Sequence, residues 1–241
     1  GVSSAVLKNR IPPNLRHPDG LWFGLSKRGR IIAYNKSRGL PENIENYEDL
    51  ANESLKGQVC MRSSSNIYNL SLMASLIEAN GADKAESWAK GVALNFARDP
   101  QGNDTAQLRA VSSGECGITV ANTYYIGRLM GSGKEDDKKT IDGLGFVFPN
   151  QEGRGAHVNI SGGGVAKYAP NKENAIRFLE YLTEESSQKM FSEGNNEYPV
   201  VGQVSGPVAS LGPFKEDSVN ASLFGERQRE AVMVYDRAGW R

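Results

Sequence analysis

Two adjacent tyrosines, Tyr124 and Tyr125, stand where an apolar, β-branched segment ends in the small polar residues Asn122 and Thr123. This pattern predicts a buried strand that runs into the start of a helix, which is where open α/β sheets bind ligands. Phenolate is an anionic oxygen donor, and hard, highly charged metal ions such as ferric iron prefer such donors to sulfur. A bound metal can hold the phenolate form well below the ordinary phenol pKa of about 10. The pair is therefore a candidate metal-binding site.

A third tyrosine occupies a similar position upstream. Tyr68 follows a short apolar segment and the polar turn 62–66, again at a predicted helix start. The chain has nine tyrosines, and most tyrosines in globular proteins are simply packed with a hydrogen-bonded hydroxyl. Packing would be the better interpretation of the Tyr124–Tyr125 pair alone. Two strand ends that together offer three phenols favour the metal site.

Short apolar strands alternate with amphipathic helices and predict an α/β fold with mixed, mostly parallel sheets. Asn122 or Thr123 could cap the helix that bears the tyrosine pair, and the partial positive charge of a helix N-terminus favours phenolate there. Strands are expected near residues 22–25, 30–34, 58–61, 116–121, 144–148 and 157–160. Helices are expected over residues 66–79, 83–97, 104–113 and 171–193, after residue 122, and within 219–235.

Composition and motifs exclude several function classes. The 28 basic and 28 acidic side chains cancel, and the mixed run 134–139 has the pattern of a solvated loop, so we expect no nucleic-acid partner. No apolar run approaches the roughly 20 residues that span a bilayer. The chain has no Gly-x-Ser-x-Gly, His-Glu-x-x-His or P-loop motif. Its two histidines, His17 and His157, lack metal-ligand spacing, so the sequence offers little support for an enzyme.

The two cysteines, Cys60 and Cys116, each lie near the end of a predicted strand that leads into a tyrosine site. Their parallel positions suggest neighbouring strands. They could form a disulfide in an oxidising compartment such as a periplasm, or they could be two buried free thiols.

These residues together resemble the ferric-iron-binding proteins of bacterial iron ABC importers, especially those of cyanobacteria. The likeness runs through residues 25–35 and 47–50, both tyrosine sites and residues 158–165, and it covers nearly the whole chain. It implies a two-lobed, type II periplasmic-binding-protein-like fold with hinge strands, in which the lobes close on the metal. By the same resemblance, Tyr68, Tyr124 and Tyr125 match the tyrosine ligands of the family.

The resemblance also implies a map of the chain. Residues 1–29 would be the remnant of lobe one, 30–158 lobe two, and 159–241 the return to lobe one. The family usually supplies a further tyrosine from near the mature N-terminus, and no segment of this sequence corresponds to it. Residues 1–8 lack the pattern of a signal peptide, so we expect the chain to be N-terminally truncated.

Three arginines are candidates for a supporting role around the tyrosines, because a guanidinium can offset the negative charge of several phenolates. Arg128 lies one helical turn after the pair, and Arg28 lies at the first hinge in the family's layout. Arg62 precedes Ser63, Ser64 and Ser65, which could hold a synergistic anion such as carbonate. Helix capping is the favoured role of these serines, and each arginine could also be a solvated surface residue.

The resemblance therefore predicts a periplasmic, monomeric binding protein that captures ferric iron and delivers it to an ABC permease of the inner membrane. A binding protein for a polyamine or an organic anion on the same fold is the first alternative. An effector-sensing domain of a transcription regulator is the second.

Overall fold

Helices and short strands alternate along the chain in the computed structural model, which describes residues 1–241. The strands are β1 (Phe23–Asn35), β2 (Ile118–Asn122), β3 (Leu144–Val147), β4 (Val158–Gly163) and β5 (Tyr198–Pro199). The α-helices are α1 (Ala5–Arg10), α2 (Ile67–Asn80), α3 (Ala82–Leu94), α4 (Asp104–Ser113), α5 (Thr123–Gly131), α6 (Glu135–Asp142), α7 (Lys172–Leu182), α8 (Glu185–Asn195), α9 (Ser222–Glu226) and α10 (Gln228–Ala238). Short 3₁₀ helices span Pro13–Leu15, Tyr47–Ala51, Glu53–Leu55 and Pro207–Leu211.

The long strand β1 connects two sheets. Its first half pairs with β4 and β5, and its second half pairs with β2 and β3. The change occurs between Gly29, which is opposite Val158 of β4, and Arg30, which is opposite Asn122 of β2. The two strands predicted over 22–25 and 30–34 are thus one continuous strand, as a hinge between two lobes requires.

All pairings of the named strands are antiparallel, which corrects the prediction of mostly parallel sheets. β1 runs from the first sheet to the second, and the chain returns to the first sheet at β4, so β1 and β4 pair in opposite directions. Parallel pairing is confined to isolated bridges, among them those of Val59 with Phe96 and Ile118. In place of the strand predicted over 58–61, the structure has only these two bridges of Val59.

The second half of β1 lies between two apolar clusters. Ile32 faces a cluster of 22 buried residues formed largely by α2, α3 and α10. Ile31 and Ala33 face a second cluster, of 13 buried residues, that includes side chains of α4 and α5. This alternation is the two-residue period of a strand buried on both faces. A third cluster, of eight buried residues, joins α1 and the first half of β1 to α7.

The C-terminal segment packs in two different places. β4 and α7 pack with elements of residues 1–28. α10 instead packs against α2 and α3, where Ala231, Val234 and Tyr235 are fully buried. The apolar stripe of α10 therefore closes the core of the segment predicted as lobe two.

Two helical predictions also change. The helix predicted over 171–193 is divided into α7 and α8 by a break at Thr183 and Glu184. The charged run predicted as a loop begins α6, with three acidic residues in its first turn. Acidic side chains at this end of a helix are stabilised by its dipole.

Cys60 and Cys116 form a disulfide, with their Cα atoms 5.9 Å apart. This decides between the two alternatives that the sequence left open. The bond ties the segment that leads to Tyr68 to the segment that enters β2.

None of the helices combines the length and the apolar character that a membrane crossing requires.

Candidate metal centre

Tyr68 is the second residue of α2, and Asn66 fixes the start of that helix. The Asn66 side chain accepts a hydrogen bond of 3.0 Å from the backbone N–H of Tyr68. The expectation that the preceding serines cap the helix is therefore wrong. The hydroxyls of Ser63 and Ser65 instead form a hydrogen bond with each other, at 2.9 Å. Asn66 is therefore the cap of the helix that carries Tyr68.

Tyr124 and Tyr125 are the second and third residues of α5, directly after the fully buried strand β2. Neither predicted cap bonds to its own helix. The Thr123 hydroxyl accepts from the Gly29 N–H at 3.1 Å, and the Asn122 side chain accepts from Arg30 at 3.3 Å. The start of α5 is thus fixed to β1 at the point where β1 changes sheets.

The structure brings the three predicted phenols together. The hydroxyl oxygens of Tyr68 and Tyr124 are 2.7 Å apart. The rings of Tyr124 and Tyr125 stack with centroids 4.3 Å apart and planes 30° apart. The rings of Tyr68 and Tyr124 meet edge to face, with centroids 6.4 Å apart. Residues 56 positions apart in sequence thus share one hydrogen bond.

The pKa of Tyr124 is raised above its ordinary value, first by burial and then by the neighbouring phenols of Tyr125 and Tyr68. Its side chain is only 8% exposed. The Tyr124 phenol therefore keeps its proton at neutral pH. A trivalent cation placed among the oxygens reverses this balance, because its charge favours the anionic form.

Arginines surround the phenols. The Cζ atoms of Arg28 and Arg128 lie 5.5 and 5.4 Å from the ring centroid of Tyr124. Arg62 lies 5.3 Å from the ring centroid of Tyr68 and donates a hydrogen bond of 3.3 Å to the Tyr125 hydroxyl. The guanidinium groups of all three predicted arginines therefore lie against the tyrosine cluster.

Two of these arginines are also held from elsewhere. Arg28 donates to the Ser161 hydroxyl of β4. Burial lowers the pKa of Arg62, but the negative charge and hydrogen bond of Asp104 outweigh burial and raise it. Arg128, in contrast, is exposed.

The donor set of the site is phenolic. The molecule contains no cluster of three or more His, Cys, Asp or Glu side chains that could hold a metal ion. His157 is buried at the crossing, by which we mean the point where β1 changes from one sheet to the other. Its Nε2 lies 3.1 Å from the Ser71 hydroxyl. His17 accepts a local bond from the Asp19 N–H. Neither histidine forms a hydrogen bond with Tyr68, Tyr124 or Tyr125.

Two residues of this region were not singled out from the sequence. Asp104 is a fully buried carboxylate at the first residue of α4 that contacts both Arg30 and Arg62. Tyr47 is buried beside the crossing, where its hydroxyl donates to the Arg30 carbonyl and accepts from the His157 N–H. An acidic residue in a first helical turn is commonplace, so no sequence signal distinguishes Asp104. The bridging role of Tyr47 likewise depends on distant partners.

Comparison with known proteins decides the family. The sequence matches that of the bacterial extracellular solute-binding proteins over residues 4–215. The chain belongs to this family. Among curated solute-binding relatives, it is 50% identical to iron uptake protein A1 of Synechocystis, over 100% of this chain and 67% of that protein. It is 45% identical to iron uptake protein A2 of the same organism, over 99% of this chain and 70% of that protein.

Solved structures of similar proteins share this fold. The Trichodesmium protein IdiA (FutA), in complex with iron and citrate, superposes with a TM-score of 0.97 at 55% identity, covering 100% of this chain and 77% of that chain. The apo FutA2 of Synechocystis gives 0.96 at 43% identity, with coverages of 100% and 78%. The predicted two-lobed, type II periplasmic-binding-protein fold of the α/β class is therefore confirmed for this solute-binding protein.

Proposed function

We propose that this protein captures ferric iron through the phenolate oxygens of Tyr68, Tyr124 and Tyr125 and delivers it to an ABC permease of the inner membrane. The observation that carries the proposal is the convergence of three phenols at the starts of α2 and α5, within a ring of arginines. Hard trivalent iron prefers such oxygen donors. The names of the relatives agree, since they include an Fe(3+)-binding periplasmic protein of Serratia marcescens that is 28% identical.

Charge explains how the cluster would change between its free and loaded states. In the free state Tyr124 retains its proton and shares a hydrogen bond with Tyr68. Binding of iron releases the phenol protons, because a coordinating group must be deprotonated. Three phenolates balance one ferric ion, and any further anionic ligand leaves the site negative. Arg28, Arg62 and Arg128 offset such charge, which supports an accompanying anion such as carbonate or citrate.

The setting of the site supports a periplasmic carrier rather than an enzyme. β1 runs from one sheet to the other, and the chain returns to the first sheet at the start of β4, as at a hinge. We assign residues 1–29 and residues 159–195, the segment that ends with α8, to one lobe. Residues 30–158, completed by α10, form the other.

The Cys60–Cys116 disulfide suits an oxidising compartment such as the periplasm. The proposed carrier acts as a monomer and has no nucleic-acid partner.

A visible absorption titration with ferric nitrilotriacetate tests the proposal. A phenolate-to-iron charge-transfer band should grow to one equivalent and weaken in Tyr68→Phe, Tyr124→Phe and Tyr125→Phe. The matched control is Tyr168→Phe, because that side chain is 85% exposed and lies outside the cluster. Acidification should weaken the band, since protons compete with iron for the phenolates. Absence of any band in the intact protein would overturn the proposal, and binding of citrate without iron would favour an organic-anion carrier.

A further inference from the structure

Asp104 is unusual for an aspartate, because it is fully buried, at 0% exposure, beside an arginine that contacts the tyrosine cluster. Its two oxygens have different partners. Oδ1 accepts from Nη1 of Arg62 at 3.1 Å. Oδ2 accepts from Nη1 of Arg30 at 3.1 Å and from the backbone N–H of Asn122 at 2.7 Å. One carboxylate therefore joins three separate segments of the chain.

Two of those partners lead directly to tyrosines. Asn122 is the residue that precedes α5, so its bond to Asp104 fixes the backbone at the start of the helix that carries Tyr124 and Tyr125. Arg62 uses the same nitrogen, Nη1, for Asp104 and for the Tyr125 hydroxyl, at 3.1 and 3.3 Å. The carboxylate thus determines where this shared donor lies.

The third partner, Arg30, extends the network to Tyr68. Its Nη2 donates to the Asn69 side chain at 2.8 Å. Asn69 in turn donates to the backbone carbonyls of Arg62 and Ser63, both at 3.1 Å. Asn69 is also the neighbour of Tyr68 in α2. The segment that carries Arg62 is consequently held at its backbone and at its side chain by one connected network.

Stabilisation of a helix start does not explain this arrangement. An exposed aspartate would serve the dipole of α4 equally well. Burying a carboxylate is costly unless opposite charges and hydrogen bonds compensate it. Here the compensation comes from two arginines, one of which faces the phenols. Contacts behind the direct ligands orient those ligands and tune a metal site.

We propose that Asp104 is a positioning residue of the ferric site, which holds the Arg62 guanidinium against the Tyr125 oxygen and the Tyr68 ring. The proposal rests on the function proposed above for the same tyrosines. Asp104 acts through Arg62 and touches no phenol itself. Without the carboxylate, Arg62 is free to turn towards solvent, and the Tyr125 oxygen loses its fixed donor.

The test compares Asp104→Asn, Arg62→Gln and the double variant in the intact protein. The first readout is the NMR signal of the phenol carbon next to the hydroxyl, in iron-free protein labelled with ¹³C-tyrosine and assigned with Tyr125→Phe. The Tyr125 signal should move in both single variants, and the double variant should move it no further. The Tyr168 signal should stay in place. The second readout is ferric affinity in competition with citrate, which should fall about 10- to 100-fold in each single variant.

A purely structural role predicts a different result. Asp104→Asn would then lower the melting temperature while the Tyr125 signal and the ferric affinity stayed at their wild-type values, and this overturns the proposal. If Asp104→Asn does not fold, Asp104→Glu takes its place beside Arg62→Gln. A displaced Tyr125 signal in both supports the proposal, and an unmoved signal in either one refutes it. Because the NMR readout needs no iron, it decides the role of Asp104 even where the iron titration itself fails.

Discussion

The buried histidine at the crossing of β1 should make the protein acid-sensitive. His157 is fully buried, its Nε2 is 3.1 Å from the Ser71 hydroxyl, and its ring packs edge to face on Phe224. Burial, together with the positive charges of Arg30 and Arg154, lowers its pKa to about 3. The folded protein therefore keeps this imidazole neutral well below the ordinary histidine pKa of about 6.5.

The direction of the effect follows from proton binding in the two states. The unfolded chain binds a proton at this histidine with a pKa of about 6.5, well above the folded value. Between pH 6.5 and 3 the unfolded state holds more protons, so the free energy of unfolding falls as the pH falls. One pKa unit corresponds to about 1.4 kcal/mol. Acidification from about pH 7 to 5 should therefore remove about 2 kcal/mol through His157 alone.

Urea unfolding of the iron-free protein at these two pH values measures this quantity. Carboxylates also titrate in this range, so the informative number is the difference between variants. His157→Gln should lose about 2 kcal/mol less than the wild type on acidification, because the glutamine takes up no proton. His17→Gln is the control, since His17 is half-buried and accepts only a local hydrogen bond, from the Asp19 N–H. Equal acid losses in His157→Gln and the wild type would refute the reasoning.

Two further predictions concern the covalent and hydrogen-bonded ties of the fold. Tyr47→Phe should lower the free energy of unfolding by about 1–3 kcal/mol, because it leaves the Arg30 carbonyl and the His157 N–H unpaired at the crossing. Urea unfolding measures this loss, and the exposed Tyr168→Phe should change the value by less than about 0.5 kcal/mol. Replacing Cys60 and Cys116 together by alanine should cost about 2–5 kcal/mol, because the disulfide closes a loop with a sequence separation of 56. Dithiothreitol should reproduce that loss in the wild type, and a further loss in the alanine variant would contradict the explanation.

Local patterns sufficed to predict where the phenols lie. Tyr68 and Tyr124 each follow a short apolar segment and a polar turn at a helix start. The periodicity of the flanking residues identifies both helices, and two such ends beside each other in a fold bring their first turns together. The positions of the three phenols at helix starts were thus predictable from the sequence, although the residues that cap those helices were not. Asn66 caps α2, whereas Asn122 and Thr123 bond to β1.

Long-range pairing was not readable in the same way. Arg30 and Asp104 are 74 residues apart, and Tyr47 and His157 are 110 residues apart. Each is an ordinary residue in its own segment, and its role appears only when the fold supplies the partner. The same limitation explains the antiparallel sheets and the position of α10. An amphipathic helix predicts that an apolar stripe is buried, but it does not specify against which core.

The three arginines around the phenols differ in what holds them. Arg62 is fixed by Asp104 and Arg128 lies on α5, so both remain with the tyrosines. Arg28 instead belongs to the half of β1 that pairs with β4, and it donates to Ser161 of that strand. Arg28 therefore reaches the Tyr124 ring from the other side of the point where β1 changes sheets. Under the proposed assignment of lobes, Arg28 belongs to the lobe opposite the tyrosines, so its positive charge reaches the site only while the two lobes keep this contact.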